Sequence, residues 1–75
     1  MEETWYILVT RHFEGNREEK KLYMTEVCAK EFDSKKEVQE FIARWLSPPK
    51  NYQLAPSECA MPTYEPVTAA MFDSI

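Results

Sequence analysis

The segment SKKEVQEFIARWL, Ser34 to Leu46, constrains the fold more than any other part of this 75-residue chain. Ser34 followed three residues later by Glu37 is a capping-box signature, in which each side chain satisfies a backbone N–H that the first helical turn leaves without a partner. Val38, Phe41, Ile42, Trp45 and Leu46 then recur at i, i+3, i+4, i+7 and i+8, a single apolar stripe on a helix. Lys35, Lys36, Gln39, Glu40 and Arg44 take the other side, with Glu40 and Arg44 at the favourable i, i+4 spacing. Pro48 and Pro49 end the helix. A helix over 35–46 with one greasy stripe needs an apolar surface to lie on. Its burial is worth about 1.5–3 kcal/mol per large side chain.

The preceding residues supply that surface. Thr4 to Phe13 is dense in β-branched and aromatic residues and reads as a strand, with apolar residues on both sides near its start. Glu14 to Glu19 contains Gly15-Asn16 and reads as a hairpin loop. Lys20 to Phe32 reads as the returning strand. Its alternation slips, because Leu22 and Met24 share one phase while Val27 and Ala29 share the other. Either a bulge near Glu26 or a break into two shorter strands accounts for the slip. After Lys50 the text changes: Pro56, Pro62 and Pro66 fall within 25 residues. Residues 51–54 can add a short edge strand, and the stretch from Glu65 can form a final helix with Pro66 in its first turn. With Tyr52, Leu54, Met61, Tyr64, Met71 and Phe72, this tail is too apolar for a solvated linker. The expectation is a single α+β domain over 1–75. It has a small antiparallel sheet (hairpin or meander within 4–32), one amphipathic helix packed on a face, and an irregular, wrapped segment over 50–75.

Size and composition then exclude function classes. A chain this short buries only about 60% of the surface its unfolded form exposes, so each large apolar side chain counts. One glycine is too few for a dinucleotide or P-loop phosphate cradle. No apolar run reaches the ~20 residues of a membrane span, and "MEETWY" is acidic where a signal peptide is basic. These features predict a soluble cytoplasmic protein, in which Cys28 and Cys59 are expected as free, buried thiols. The metal-capable residues are scattered singly rather than in close pairs, so no metal or cofactor is expected. The lone histidine, His12, has Cys28 as a conceivable partner across the hairpin, but no catalytic signature surrounds them. The carboxylate pairs Glu2/Glu3 and Glu18/Glu19 sit at a terminus and in a loop. The chain reads as non-catalytic.

Charge distribution points to recognition. The net charge is −4: residues 1–50 hold ten acids and nine bases, whereas residues 51–75 hold three acids and no base. An acidic chain repels phosphates and attracts basic partners. The expected partner is therefore another protein with a basic surface. The candidate contact residues are Glu14, Glu18 and Glu19 at the hairpin tip, Glu58 and Glu65 in the tail, and Tyr52 and Tyr64 as aromatic anchors. Arg11, Arg17, Lys20, Lys21 and Lys30 would carry the alternative, a nucleic-acid surface. In residues 4–32 they are matched by Glu14, Glu18, Glu19, Glu26 and Glu31. A homodimer through an open sheet edge or the tail is a further option.

Trp5-Tyr6, the turn at Gly15-Asn16-Arg17 and Phe32-Asp33-Ser34-Lys35-Lys36-Glu37 together resemble the arm-type DNA-binding domain of phage integrases over about residues 5–42. That resemblance implies a sheet crossed by one helix and nucleic-acid reading by the sheet face. In size and charge the chain is also similar to small phage-encoded inhibitors such as anti-CRISPR proteins. This second likeness implies an inhibitor or accessory protein that occupies a basic, nucleic-acid-binding surface of its partner.

Overall fold

Strand β1, Trp5–Phe13, is the centre of a three-stranded antiparallel sheet in the order β2-β1-β3. The computed structural model describes residues 3–47 and 51–75. Glu2 and the prolines at 48 and 49 lie outside them. β2 is Arg17–Leu22, and β3 is Glu58–Thr68. A short loop of Glu14, Gly15 and Asn16 joins β1 to β2. Gly15 and Asn16 both take positive φ, 77° and 61°, which glycine and asparagine tolerate better than any other residues. The loop is thus three residues shorter than expected, and β2 starts at Arg17 opposite Phe13.

The slip after Leu22 is a break, not a bulge. The chain leaves the sheet into a tight turn in which Thr25 N–H donates to the Cys28 carbonyl at 2.8 Å. It returns through isolated bridges at Met24–Ala29 and Trp5–Phe32.

β3 is the main departure from expectation. The tail is not irregular: eleven of its residues form the longest strand, despite Pro62 and Pro66. Register explains the tolerance. Pro66 lies opposite Ile7, and the Ile7 carbonyl accepts from Tyr23 N–H on the far side of β1. Ile7 therefore turns its backbone polar groups away from β3, so Pro66 owes the ladder no donor. The Pro66 nitrogen faces the outer edge, where proline is permitted and discourages pairing with another strand. Pro62 falls at the irregularity between the Thr10–Thr63 and His12–Ala60 pairs, a bulge position where proline is also tolerated. Only Ala69–Asp73 forms the final helix, α2, capped by the Thr68 hydroxyl, which accepts from Met71 N–H at 3.2 Å.

Helix α1, Lys35–Phe41, begins as its sequence requires. Ser34 Oγ accepts from Glu37 N–H at 3.2 Å, and Glu37 Oε2 reaches back to Asp33 N–H at 3.0 Å. Phe41 meets Tyr23 and Phe32 edge-to-face, with centroids 6.0 and 5.3 Å apart. Tyr23 extends the β2 register opposite Ile7, and Phe32 pairs with Trp5. The helix therefore lies on the face bearing Trp5, Ile7 and Val9. Ile7 and Val38 are completely buried, and Leu8 and Val67 nearly so.

From Ile42 to Leu46 the helix widens into a π turn, closed by Ser47 N–H donating to the Ile42 carbonyl at 2.8 Å. Ser47 itself is extended (φ −125°, ψ 114°), as the residue before a proline prefers. In a π turn each residue rotates through a smaller angle than in an α-helix, so the apolar stripe falls out of phase. Trp45, expected inside, is 62% exposed, while Leu46 turns partly inward.

Candidate functional site

Beyond Val9 the helix-side face of the sheet becomes mixed, with Arg11 set between Val9 and Phe13. Arg11 points to this side, and its guanidinium meets a carboxylate from the start of β3. Arg11 Nη2 donates to Glu58 Oε1 at 2.9 Å. Tyr52 Oη donates to the same carboxylate, 2.9 and 2.8 Å from its two oxygens, and Ala55 N–H adds a bond of 2.8 Å. The Glu58 side chain has no exposure to solvent, whereas Arg11 keeps about a third of its own. Two weaker contacts extend the cluster outward, Arg11 to Glu19 at 3.5 Å and Glu19 to Lys21 at 3.5 Å.

These contacts set the protonation states. The Arg11 hydrogen bond pulls the Glu58 carboxyl down to about 2, helped by the Ala55 N–H and Tyr52 hydroxyl and opposed by burial. Arg11 is held above its usual range by the same bond. Burial raises the Tyr52 phenol, and its bond to Glu58 adds to that. Arg11 Nε is buried without a hydrogen-bond partner. A charge locked into four contacts positions the 52–58 segment.

The expected contact residues therefore divide. Glu14 and Glu18 are exposed, and Glu65 is exposed on β3 opposite Leu8. Glu19 is half-buried, tied to Arg11 and Lys21. Glu58 is buried and Tyr52 half-buried, and both belong to the cluster just described. Tyr64, opposite Val9 beneath the helix, is half-buried, and burial raises its phenol pKa. Glu58 and Tyr64 turn inward because the segment expected to wrap loosely is a paired strand, and Tyr52, which precedes that strand, is drawn in by its bonds to Glu58.

The basic residues are also sorted by the sheet. Arg11, Arg17 and Lys21 point to the helix side, with Arg17 5.7 Å from the Phe13 ring. Lys30 lies over Phe32 and Phe41, at 5.2 and 5.6 Å. Only Lys20 projects from the opposite face, donating to Thr10 Oγ1 at 3.3 Å and standing 3.5 Å from Glu18.

The two cysteines are free, as expected, but exposed rather than buried. Cys28 sits in the turn after β2, at the opposite end of β1 from His12, so these two do not meet. Instead His12 shares a shallow groove of about 340 Å³ at the hairpin end with Glu14, Arg17, Glu18 and Cys59. His12 Nε2 is 3.4 Å from Thr63 Oγ1. Sequence spacing gave no sign of this neighbourhood, because 47 residues separate His12 from Cys59. Among the described residues no three His, Cys, Asp or Glu side chains converge as metal ligands. No helix of these residues is long and apolar enough to cross a membrane.

No protein-family model, curated protein or solved structure matches the chain. Any functional reading therefore has to come from the surface itself.

Proposed function

We propose that the protein is a non-catalytic, acidic protein-binding module, an inhibitor or accessory protein that occupies a basic, nucleic-acid-binding surface of its partner, as phage anti-defence and anti-CRISPR proteins do. One observation carries the reading. The sheet face turned away from the helix offers Glu18 and Glu65 to solvent against a single base, Lys20, which already lies beside Glu18. Glu14 extends this acidic surface at the hairpin tip. A face of this kind attracts lysine and arginine and repels phosphate at long range.

The second reading, nucleic-acid binding by the sheet through Arg11, Arg17, Lys20, Lys21 and Lys30, is favoured by the architecture. An antiparallel sheet with a helix on one face is what the arm-type resemblance implies. Against it, the sheet face left open by the helix carries only Lys20 of the β1 and β2 bases, and Arg11, Lys20 and Lys21 have carboxylates within 3.5 Å.

Affinity capture of basic proteins from a cell extract, repeated with Glu14→Lys/Glu18→Lys/Glu65→Lys, tests the proposal. The reading expects wild-type protein to retain a partner that duplex DNA displaces. The triple variant should lose that partner while unfolding within about 0.5 kcal/mol of wild type. Retention undiminished by the three reversals rejects this surface. Anisotropy titrations with single- and double-stranded oligonucleotides at low salt test the second reading, which requires binding that weakens steeply as salt rises.

A further inference from the structure

The helix side of the molecule holds an aromatic surface that the acidic face does not use. Phe32, Phe41 and Trp45 line a shallow groove of about 290 Å³ together with Glu37, Glu40 and Arg44. Three features set it apart from an ordinary solvated helix face. First, Trp45, on the apolar stripe, reaches solvent because the terminal π turn rotates it there. Second, each ring already faces a cation: Arg44 lies 5.3 Å from Trp45, and Lys30 lies over Phe32 and Phe41. The exposed indole and the two half-buried phenyl rings thus already act as cation acceptors within the chain. Third, the Glu40–Arg44 pair expected from their spacing does not form. Arg44 lies over the indole instead, and Glu40 has no ion-pair partner among the described residues.

Aromatic walls beside a carboxylate that has no ion-pair partner among the described residues suit a cationic side chain, and a planar one best. Arginine can lay its planar guanidinium against a ring while its N–H groups donate to a carboxylate. We infer that the Phe41–Trp45 groove is a docking site for an arginine side chain of a protein partner, with Trp45 as stacking wall and Glu40 as counter-ion. The inference rests on the protein-binding reading and adds to it a second, aromatic contact on the other side of the sheet.

Titration of ¹⁵N-labelled protein with the peptide acetyl-Gly-Arg-Gly-Arg-Gly-amide, and with its glutamine counterpart, tests it by NMR. The arginine peptide is expected to shift the Trp45 indole N–H and the amides of Glu40 and Phe41. The Trp5 indole should stay fixed, and the glutamine peptide should move none of these signals. Trp45→Ala should weaken peptide binding on the order of tenfold, and Glu40→Gln several-fold. Backbone spectra establish that both variants are folded. Equal shifts from both peptides, or binding that persists in Trp45→Ala, overturn the docking site. Shifts confined to Glu14–Glu19 also overturn it, yet leave the acidic-face reading standing. Conversely, arginine-specific shifts at Trp45 without any captured basic partner would keep the groove and defeat the acidic-face reading. An oligothymidine that moves the Trp45 indole where the arginine peptide does not would make the surface a base-stacking platform and overturn the proposal.

Discussion

The two halves of β1 are held by different physics. From Trp5 to Val9 the strand is covered by Phe32, Tyr23, Phe41 and Val38, and the attraction is burial of apolar surface. From Arg11 to Phe13 the same face is closed by a carboxylate, a guanidinium and a phenol. The helix stripe and the hairpin together supply too few apolar residues to cover the whole sheet, as expected of so short a chain. Where the apolar cover ends, the fold buries a charge and surrounds it with donors. The contrast teaches that a buried ion cluster can position a segment that a small core cannot reach. Its cost is that every member has to be present.

Breaking the ionic half should do the most damage. Glu58→Leu leaves the Arg11 guanidinium, the Tyr52 hydroxyl and the Ala55 N–H without their acceptor. The midpoint of thermal unfolding is expected to fall by roughly 10 °C or more. Adding Arg11→Met should recover part of the loss, because two apolar groups replace the pair; no recovery would mean that the segment needs the bond geometry itself. Acid reads the same cluster without mutation. The Arg11 hydrogen bond holds the Glu58 carboxyl down at about 2, below the ordinary glutamate value of 4.5. The stability it contributes is therefore complete above about pH 5 and lost as pH falls toward 2. A urea midpoint measured against pH should slope downward across that window, and the slope should be shallower in Glu58→Leu. At the alkaline end the raised Tyr52 phenol works in the opposite sense, with stability lost as pH climbs past 10.

In the apolar half, Val38→Ala removes two methyl groups from a site with no exposure. It should cost about 2 kcal/mol in urea unfolding, independent of pH between 3 and 8. A pH-dependent effect would mean that the two halves are coupled. Ser34→Ala deletes the helix cap and should cost about 1 kcal/mol. Smallest is Trp45→Ala, expected within about 0.5 kcal/mol of wild type although it truncates the largest side chain of the stripe. A loss of 2 kcal/mol or more there would return Trp45 to the core and remove the groove it lines.

Much of this fold was legible. Ser34 and Glu37 marked the helix start because capping is local chemistry, and Val38 and Phe41 followed a period that tertiary contacts did not override. Gly15-Asn16 marked the hairpin because positive φ is cheap only for a few residues. β3 was not legible. Prolines in a strand read as interruptions unless one knows which way their nitrogens face, and only pairing with β1 determines that. For the same reason Glu58 and Tyr52 read as exposed contact residues. Their burial depends on Arg11, 47 residues from Glu58 in the chain, and no periodicity reports a partner at that distance. The π turn escaped as well, because a stripe of apolar residues carries no record of a local change in helical pitch.

By itself, then, the amino-acid order determined the first strand, the hairpin turn, the capped helix and the acid excess of the final third, since each follows from interactions among near neighbours or from simple counting. Tertiary structure decided that the proline-bearing tail is a strand, that Glu58 is locked inside, and that Trp45 faces water. Those outcomes depend on which distant backbone groups and charges meet, and only the folded chain brings them together.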